Sequence, residues 1–168
     1  ITDMKITLIA GRSHLKHTEG GDFRQATYRA VRNALMYSKS VLLEPFYSYE
    51  IVVPENCAGH VMSDMQRKSA TCSIVENKNG FAVLTGNVPV SEMTDYINEI
   101  RSFSKGQGTL SMTLCGYDLC HNEKEVIEKI NYNADSDKEN PASSVFCSHG
   151  AGFVVPWNEV VNYKHISI

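Results

Sequence analysis

The 168-residue sequence holds no GxxxxGK[ST] and no GxGxxG, so no glycine-rich loop of those kinds cradles a nucleotide phosphate in it. No run of about 18 apolar residues occurs, which excludes a membrane-spanning helix of ordinary length. No secretory signal is expected in it either, because residues 1–10 alternate apolar and polar as a strand does. The first residue is Ile1 and not Met, and the chain is expected to be a piece of something longer. The five cysteines are odd in number and contain no CxxC pair, which favours reduced thiols in a cytoplasmic setting over a disulfide framework. There are no internal repeats and no low-complexity tracts.

What is present is ordinary globular material: 42% hydrophobic and 21% charged residues, enough apolar mass for a core in one domain or two small ones. The net charge of −3 is unevenly spread. Residues 1–48 carry seven basic side chains against four acidic ones, whereas the rest of the chain is acidic. That asymmetry points to a local anion-facing surface near the N-terminus.

Residues 4–10 (MKITLIA) predict a strand, followed by a loop to Gly21. Asp22 is placed to cap a helix whose apolar positions are Phe23, Ala26, Ala30, Val31, Ala34 and Leu35. Arg24, Tyr28 and Arg32 recur at i, i+4 and i+8 and predict a basic outer stripe on it. Two extended runs follow, with a joint expected at Pro45. From Tyr49 the pattern is regular: a strand over 49–53, a helix from Pro54 to about Lys68, and a strand over 71–76. An Asn-Gly turn at Asn79-Gly80, a strand over 81–87, a helix over 91–103 and a strand over 109–114 complete it. This β-α-β-β-α-β order predicts a split βαβ, ferredoxin-like domain. Beyond Tyr117 the pattern loosens, with a short helix expected over 122–133 and another beginning at Pro156.

Cys115, Cys120, His121, Cys147 and His149 are zinc-type donors, yet the spacings C-x4-C-H and C-x-H match no zinc-binding pattern. His14 and His17 would share a face only on a helix, and Gly11, Gly20 and Gly21 around them favour a loop. No metal site is expected. Catalysis is not expected either: Cys147, Ser148 and His149 are adjacent in sequence, which does not set a base beside a nucleophile, and no nucleophile elbow occurs. There remain Arg12, His14, Lys16 and His17 in the loop, with Arg24, Tyr28 and Arg32 on the helix. Point charges, guanidinium forks and flat rings suit backbone phosphates and unstacked bases of folded RNA. The same residues also fit a solvated helix face beside an ordinary loop.

The stretch SVLLEPFYSYEIVVPENCAGHVMSDMQRKSA resembles the junction of domains IV and V in elongation factor G and its relatives. Leu42, Leu43, Glu44 and Pro45, then Pro54, Glu55, Gly59, Val61, Asp64 and Arg67, match that pattern. Val88, Pro89, Glu92, Met93, Tyr96, Arg101, Ser102, Gly106, Gly108 and Met112 match a second family pattern, V-P-x-x-E-M-x-x-Y, continuing into R-S-x-T-x-G-x-G. Within the family, GGDFRQATYRAVRNAL is most similar to the tetracycline-resistance ribosomal protection proteins, which share Asp-Phe-Arg at this helix start.

The resemblance implies an α+β chain. Residues 1–46 would be the C-terminal part of domain IV, a partial βαβ piece of a ribosomal protein S5 domain 2-like fold. Residues 47–117 would be the ferredoxin-like domain V, and 118–168 a helical C-terminal extension. It further implies docking on the ribosome, through 16S and 23S rRNA, without membrane contact. Arg67 and Lys68, where the family has R-R-G, join the RNA-facing set. GTP and Mg belong to N-terminal domains outside this sequence, so no cofactor is expected here. In the protection proteins a drug-reaching loop tip, Tyr-Ser-Pro-Val-Ser-like, stands just before this helix, and this sequence departs from it with His14, Leu15, Lys16, His17 and Thr18. A housekeeping translocation factor without a resistance role is the alternative. The exposed edge of a truncated domain IV offers a second copy a strand to pair with.

Overall fold

The computed structural model describes residues 1–15 and 18–166. Two compact units divide the chain: Val41–Lys129, and Ile1–Ser40 together with the segment from Ile130 onward.

Within the first unit, β1 (Leu43–Pro54), α2 (Ala58–Arg67), β2 (Ser73–Lys78), β3 (Phe81–Pro89), α3 (Tyr96–Phe103) and β4 (Thr109–Leu119) build an antiparallel sheet of order β2-β3-β1-β4. Helix α1 (Gly20–Tyr37) precedes them. Each helix connects strands that are parallel and separated by one intervening strand, so this is the expected ferredoxin-like arrangement. Period-two alternation sends Tyr49, Ile51 and Val53 of β1 and Ala82, Leu84 and Val88 of β3 to one face, where all are buried. Four-residue spacing brings Val61 and Met65 of α2 and Tyr96 and Ile100 of α3 onto that face, each with no exposed surface. The β2–β3 turn is Asn79-Gly80 with φ of +54° and +81°, the conformation the dipeptide predicts.

Several local expectations were displaced. The chain does not break at Pro45, and β1 runs straight through it. Pro45 pairs with Tyr117 of β4, while the β3 ladder starts only at Phe46, so the missing N–H falls where β1 has no partner on that side. A register shift at Phe46/Tyr47, with Gly116 at φ +125°, bulges β4 and lets it run on to Leu119 instead of ending near 114. The single helix expected over 91–103 is a 3-10 turn (Val90–Met93) and then α3, divided at Asp95 with φ +59°. The division allows Met93 and Tyr96 both to reach the core.

Gly86 lies opposite Tyr49, whose hydroxyl donates to the Thr71 carbonyl at 2.7 Å. A Cβ at residue 86 would sit 1.9 Å from that carbonyl oxygen, a backbone atom that cannot swing aside. Gly86→Ala is therefore expected to cost about 1–3 kcal/mol or more. A urea midpoint unchanged from the parent would refute the close approach.

The ends of β1 and β4 are tied by a carboxylate–histidine clasp. Glu44 Oε1 accepts the His121 N–H at 2.7 Å and faces its ring Nδ1 at 2.6 Å. The ring's Nε2 stands 3.4 Å from Glu92. Burial pushes the Glu44 carboxyl up, but the backbone and ring hydrogen bonds from His121, with its charge, outweigh it and leave the group below its usual value. Glu44 therefore contributes stability that is complete above the ordinary glutamate pKa of about 4.3 and is lost as pH falls through the lower folded value. Between about pH 6 and about pH 3, the urea midpoint should drop less for Glu44→Gln than for the unaltered protein. Equal drops would remove Glu44 from the acid response.

In the second unit the helix is present, but residues 4–10 form no strand. Ile6 and Leu8 are 67% and 86% exposed, with no ladder to hold them, so the edge expected to pair with a second copy is not formed there. The C-terminal segment is not chiefly helical. Helix α4 (Glu123–Ile130), which closes the Val41–Lys129 unit, ends at Asn131 with φ +48°, an αL stop. Next comes a hairpin, β5 (Ser144–Ser148) and β6 (Ala151–Val155), turned by His149-Gly150 at φ +52° and +80°. The helix expected from Pro156 is a turn and a short 3-10 segment, Val160–Asn162.

Candidate nucleic-acid interface

Helix α1 begins at Gly20, earlier than expected, with Glu19 as its N-cap. Asp22 does not cap it but closes a capping box from the first turn, accepting the Glu19 N–H at 3.0 Å. Just before the helix, the His14 N–H donates to Thr18 Oγ1 at 2.8 Å and the Thr18 N–H to the His14 carbonyl at 3.2 Å, closing a tight loop. Lys16 and His17, at the centre of that loop, lie outside the described residues. Arg12 and His14 are exposed.

On the helix, Arg24 and Tyr28 are exposed, and the Arg32 guanidinium lies over the Tyr28 ring at 5.9 Å. Arg32 is not the free outer cation that the stripe predicts: it is half-buried, and its Nη2 donates to Asn140 Oδ1 at 2.7 Å. The burial of α1 departs from the expectation in the same sense. Of the expected apolar positions, Val31 and Leu35 are half-buried, but Phe23 is 53% exposed and Ala26, Ala30 and Ala34 are exposed, while Arg29, Arg32 and Asn33 are half-buried as well. The polar side takes part because the C-terminal segment offers carbonyls: Arg29 donates to Ser143 O at 2.6 Å, Asn33 to Trp157 O at 2.7 Å and Tyr37 to Asn158 O at 3.2 Å. Sequence periodicity did not reveal this role for Arg29, Asn33 and Tyr37, since no local signal pairs residues more than a hundred positions apart.

In the other unit, Arg67 and Lys68 close α2 on different terms. Arg67 pairs with Asp64, yet its side chain remains 74% exposed. Lys68 donates to the Glu92 carbonyl at 2.8 Å and lies 5.0 Å over the Tyr96 ring, so its ammonium is engaged in the fold. The buried Asp64 carboxylate also accepts the Tyr96 hydroxyl at 2.9 Å and stands 3.4 Å from His60 Nε2. Burial, and then the Asp64 hydrogen bond, push the Tyr96 phenol up and keep it a neutral donor. The i, i+4, i+7 spacing of His60, Asp64 and Arg67 was a readable sign of this network; Tyr96 was not.

Among the described residues no three Cys, His, Asp or Glu side chains gather as a metal ion would require. All five cysteines are free thiols. No helix, among the described residues, is long and apolar enough to cross a membrane.

The split βαβ unit, with α2 and the β1–β4 clasp, coincides with a family model described as "Elongation factor G C-terminus", which matches residues 41–127. The chain belongs to that family. Elongation factor G 2 of Streptomyces coelicolor is 32% identical over 117 residues, covering 70% of this chain and 17% of that protein. Elongation factor G of Dehalococcoides mccartyi is 33% identical over 117 residues, with the same coverages of 70% and 17%. Elongation factor G 2 of Desulfotalea psychrophila is 31% identical over 132 residues, 77% of this chain and 19% of its own. The chain thus spans under a fifth of the length of these relatives. Among solved structures, a protein of Thermus thermophilus aligns over 55% of this chain and 14% of its own, with TM-score 0.49 and 24% identity.

Proposed function

We propose that this chain is the ribosome-docking C-terminal region of an elongation factor G-like translational GTPase acting in the cytoplasm. It makes and breaks no bond itself; GTP and Mg are held by domains outside this sequence. The loop carrying Arg12, His14, Lys16 and His17, with Arg24 and Tyr28 of α1, faces 16S rRNA. The Val41–Lys129 unit, through Arg67, faces 23S rRNA. Exposed guanidinium groups and an exposed ring suit the two features that folded RNA offers, phosphate and base face. The observation that carries the reading is the family match, coupled to Arg12, Arg24 and Arg67 remaining open to solvent.

The drug-clearing type of this family rests on Asp22-Phe23-Arg24 at the helix start and on the extension beyond Tyr117. A housekeeping translocation role is favoured by the three relatives described above, which are elongation factors G by name. Expression of the full-length parent in a susceptible host separates the two. A rise in the tetracycline concentration tolerated is expected for the protection role, and no rise assigns the parent to translocation.

A further inference from the structure

Residues 132–158 lie along α1 in a way that does more than hold the helix. The loop bearing Asn140 is itself ordered: Asp137 Oδ1 accepts the N–H groups of Glu139 and Asn140 at 3.0 and 2.8 Å, and Oδ2 accepts the Tyr132 hydroxyl at 2.9 Å. From that platform Asn140 takes the Arg32 guanidinium. Farther along, Ser143, Trp157 and Asn158 carbonyls receive Arg29, Asn33 and Tyr37, and Trp157 meets the Tyr37 ring edge-on at 5.3 Å. The backbone N–H of Asn140, the Tyr132 hydroxyl and the nearby Arg32 charge together hold the Asp137 carboxyl below its usual range. The segment therefore presents to Arg32 a fixed neutral oxygen acceptor, one of the two kinds of group that an RNA backbone would offer it.

We propose that residues 132–158 form an autoinhibitory strap that occupies Arg32 in place of an RNA phosphate and must release it before α1 engages RNA fully. The proposal rests on α1 being an RNA-facing helix, and it adds that this face is regulated from within the chain. Arg32 is the pivot, since it sits at the end of the Arg24–Tyr28–Arg32 stripe and is the member of it that Asn140 engages.

The test measures binding of isolated small ribosomal subunits to the full chain across a salt series. Asn140→Ala removes the acceptor without changing charge. It is expected to tighten binding several-fold and to steepen the slope of log K against log salt by about 0.7–0.9, the signature of one added phosphate contact. Arg32→Ala should abolish that gain when combined with Asn140→Ala. Asp137→Asn should tighten binding more than Asp135→Asn, which removes the same charge from an exposed neighbour. Hydrogen exchange should show α1 still protected in Asn140→Ala. Unchanged or weaker binding for Asn140→Ala, a gain that survives in the Arg32→Ala background, equal effects of the two aspartate changes, or loss of α1 protection would each overturn the strap. If Arg12→Ala and Arg24→Ala leave binding unaltered at every salt concentration, the RNA-facing reading itself falls, and the strap with it.

Discussion

Tyr96→Ala is expected to destabilise the Val41–Lys129 unit by about 3–5 kcal/mol, the range for emptying a buried aromatic site. Tyr96 has no exposed surface and is wedged among Met65, Ile100 and their neighbours in the core. Its hydroxyl also donates to the buried Asp64 carboxylate. Tyr96→Phe keeps the ring and drops that donor, so its expected cost is about 1.5–3 kcal/mol, the worth of a hydrogen bond to a charged group. The pair of variants divides packing from hydrogen bonding in one urea series. For a unit of this size, the alanine change should lower the melting temperature by on the order of 15 °C or more. If Tyr96→Phe costs as much as Tyr96→Ala, the ring's burial contributes little and the core assignment is wrong.

The second large effect is on the association with the ribosome proposed above. Replacing Arg12, Lys16 and Arg24 together by alanine in the full-length parent should lower the slope of log K against log salt by about 2–3, one increment of about 0.7–0.9 for each lost phosphate contact. Lys39→Ala serves as the control, being a basic residue of the same segment outside the loop and stripe. Its slope should match the parent's. A triple variant whose slope equals that of the control would show that basic charge in this region acts diffusely, without the contacts assigned to it.

The ferredoxin-like unit was legible because its signals are local and agree with one another. Alternation in Tyr49, Ile51 and Val53, four-residue spacing in Val61 and Met65, and an Asn-Gly turn all name the same elements. The boundaries that were missed depended on partners. Pro45 reads as a strand breaker until its pairing with β3 is known to start only one residue later, at Phe46. The helix at 91–103 reads as one piece until Met93 and Tyr96 are both required in the core. His149-Gly150 adopts the same positive-φ turn as Asn79-Gly80 but is a weaker hairpin sign in sequence, and the flanking strands carry no alternation strong enough to announce it.

The residues proposed to face RNA were legible only as a set of types. Charge and ring chemistry single out Arg12, Arg24, Tyr28 and Arg32 from sequence, and their periodicity puts the last three on one helical stripe. Which of them is open to solvent is a different question, answered by segments far along the chain. Asn140 takes Arg32 and the Glu92 carbonyl takes Lys68, whereas Arg67 keeps its guanidinium largely in water. By itself the sequence determined the family, the split βαβ topology and the candidate cations, because those follow from residue identity and spacing within a few turns or strands. Tertiary structure alone decided which cations are committed to the fold and that the tail lies along α1. Long-range hydrogen bonds between backbone carbonyls and side chains leave no periodic trace in a sequence.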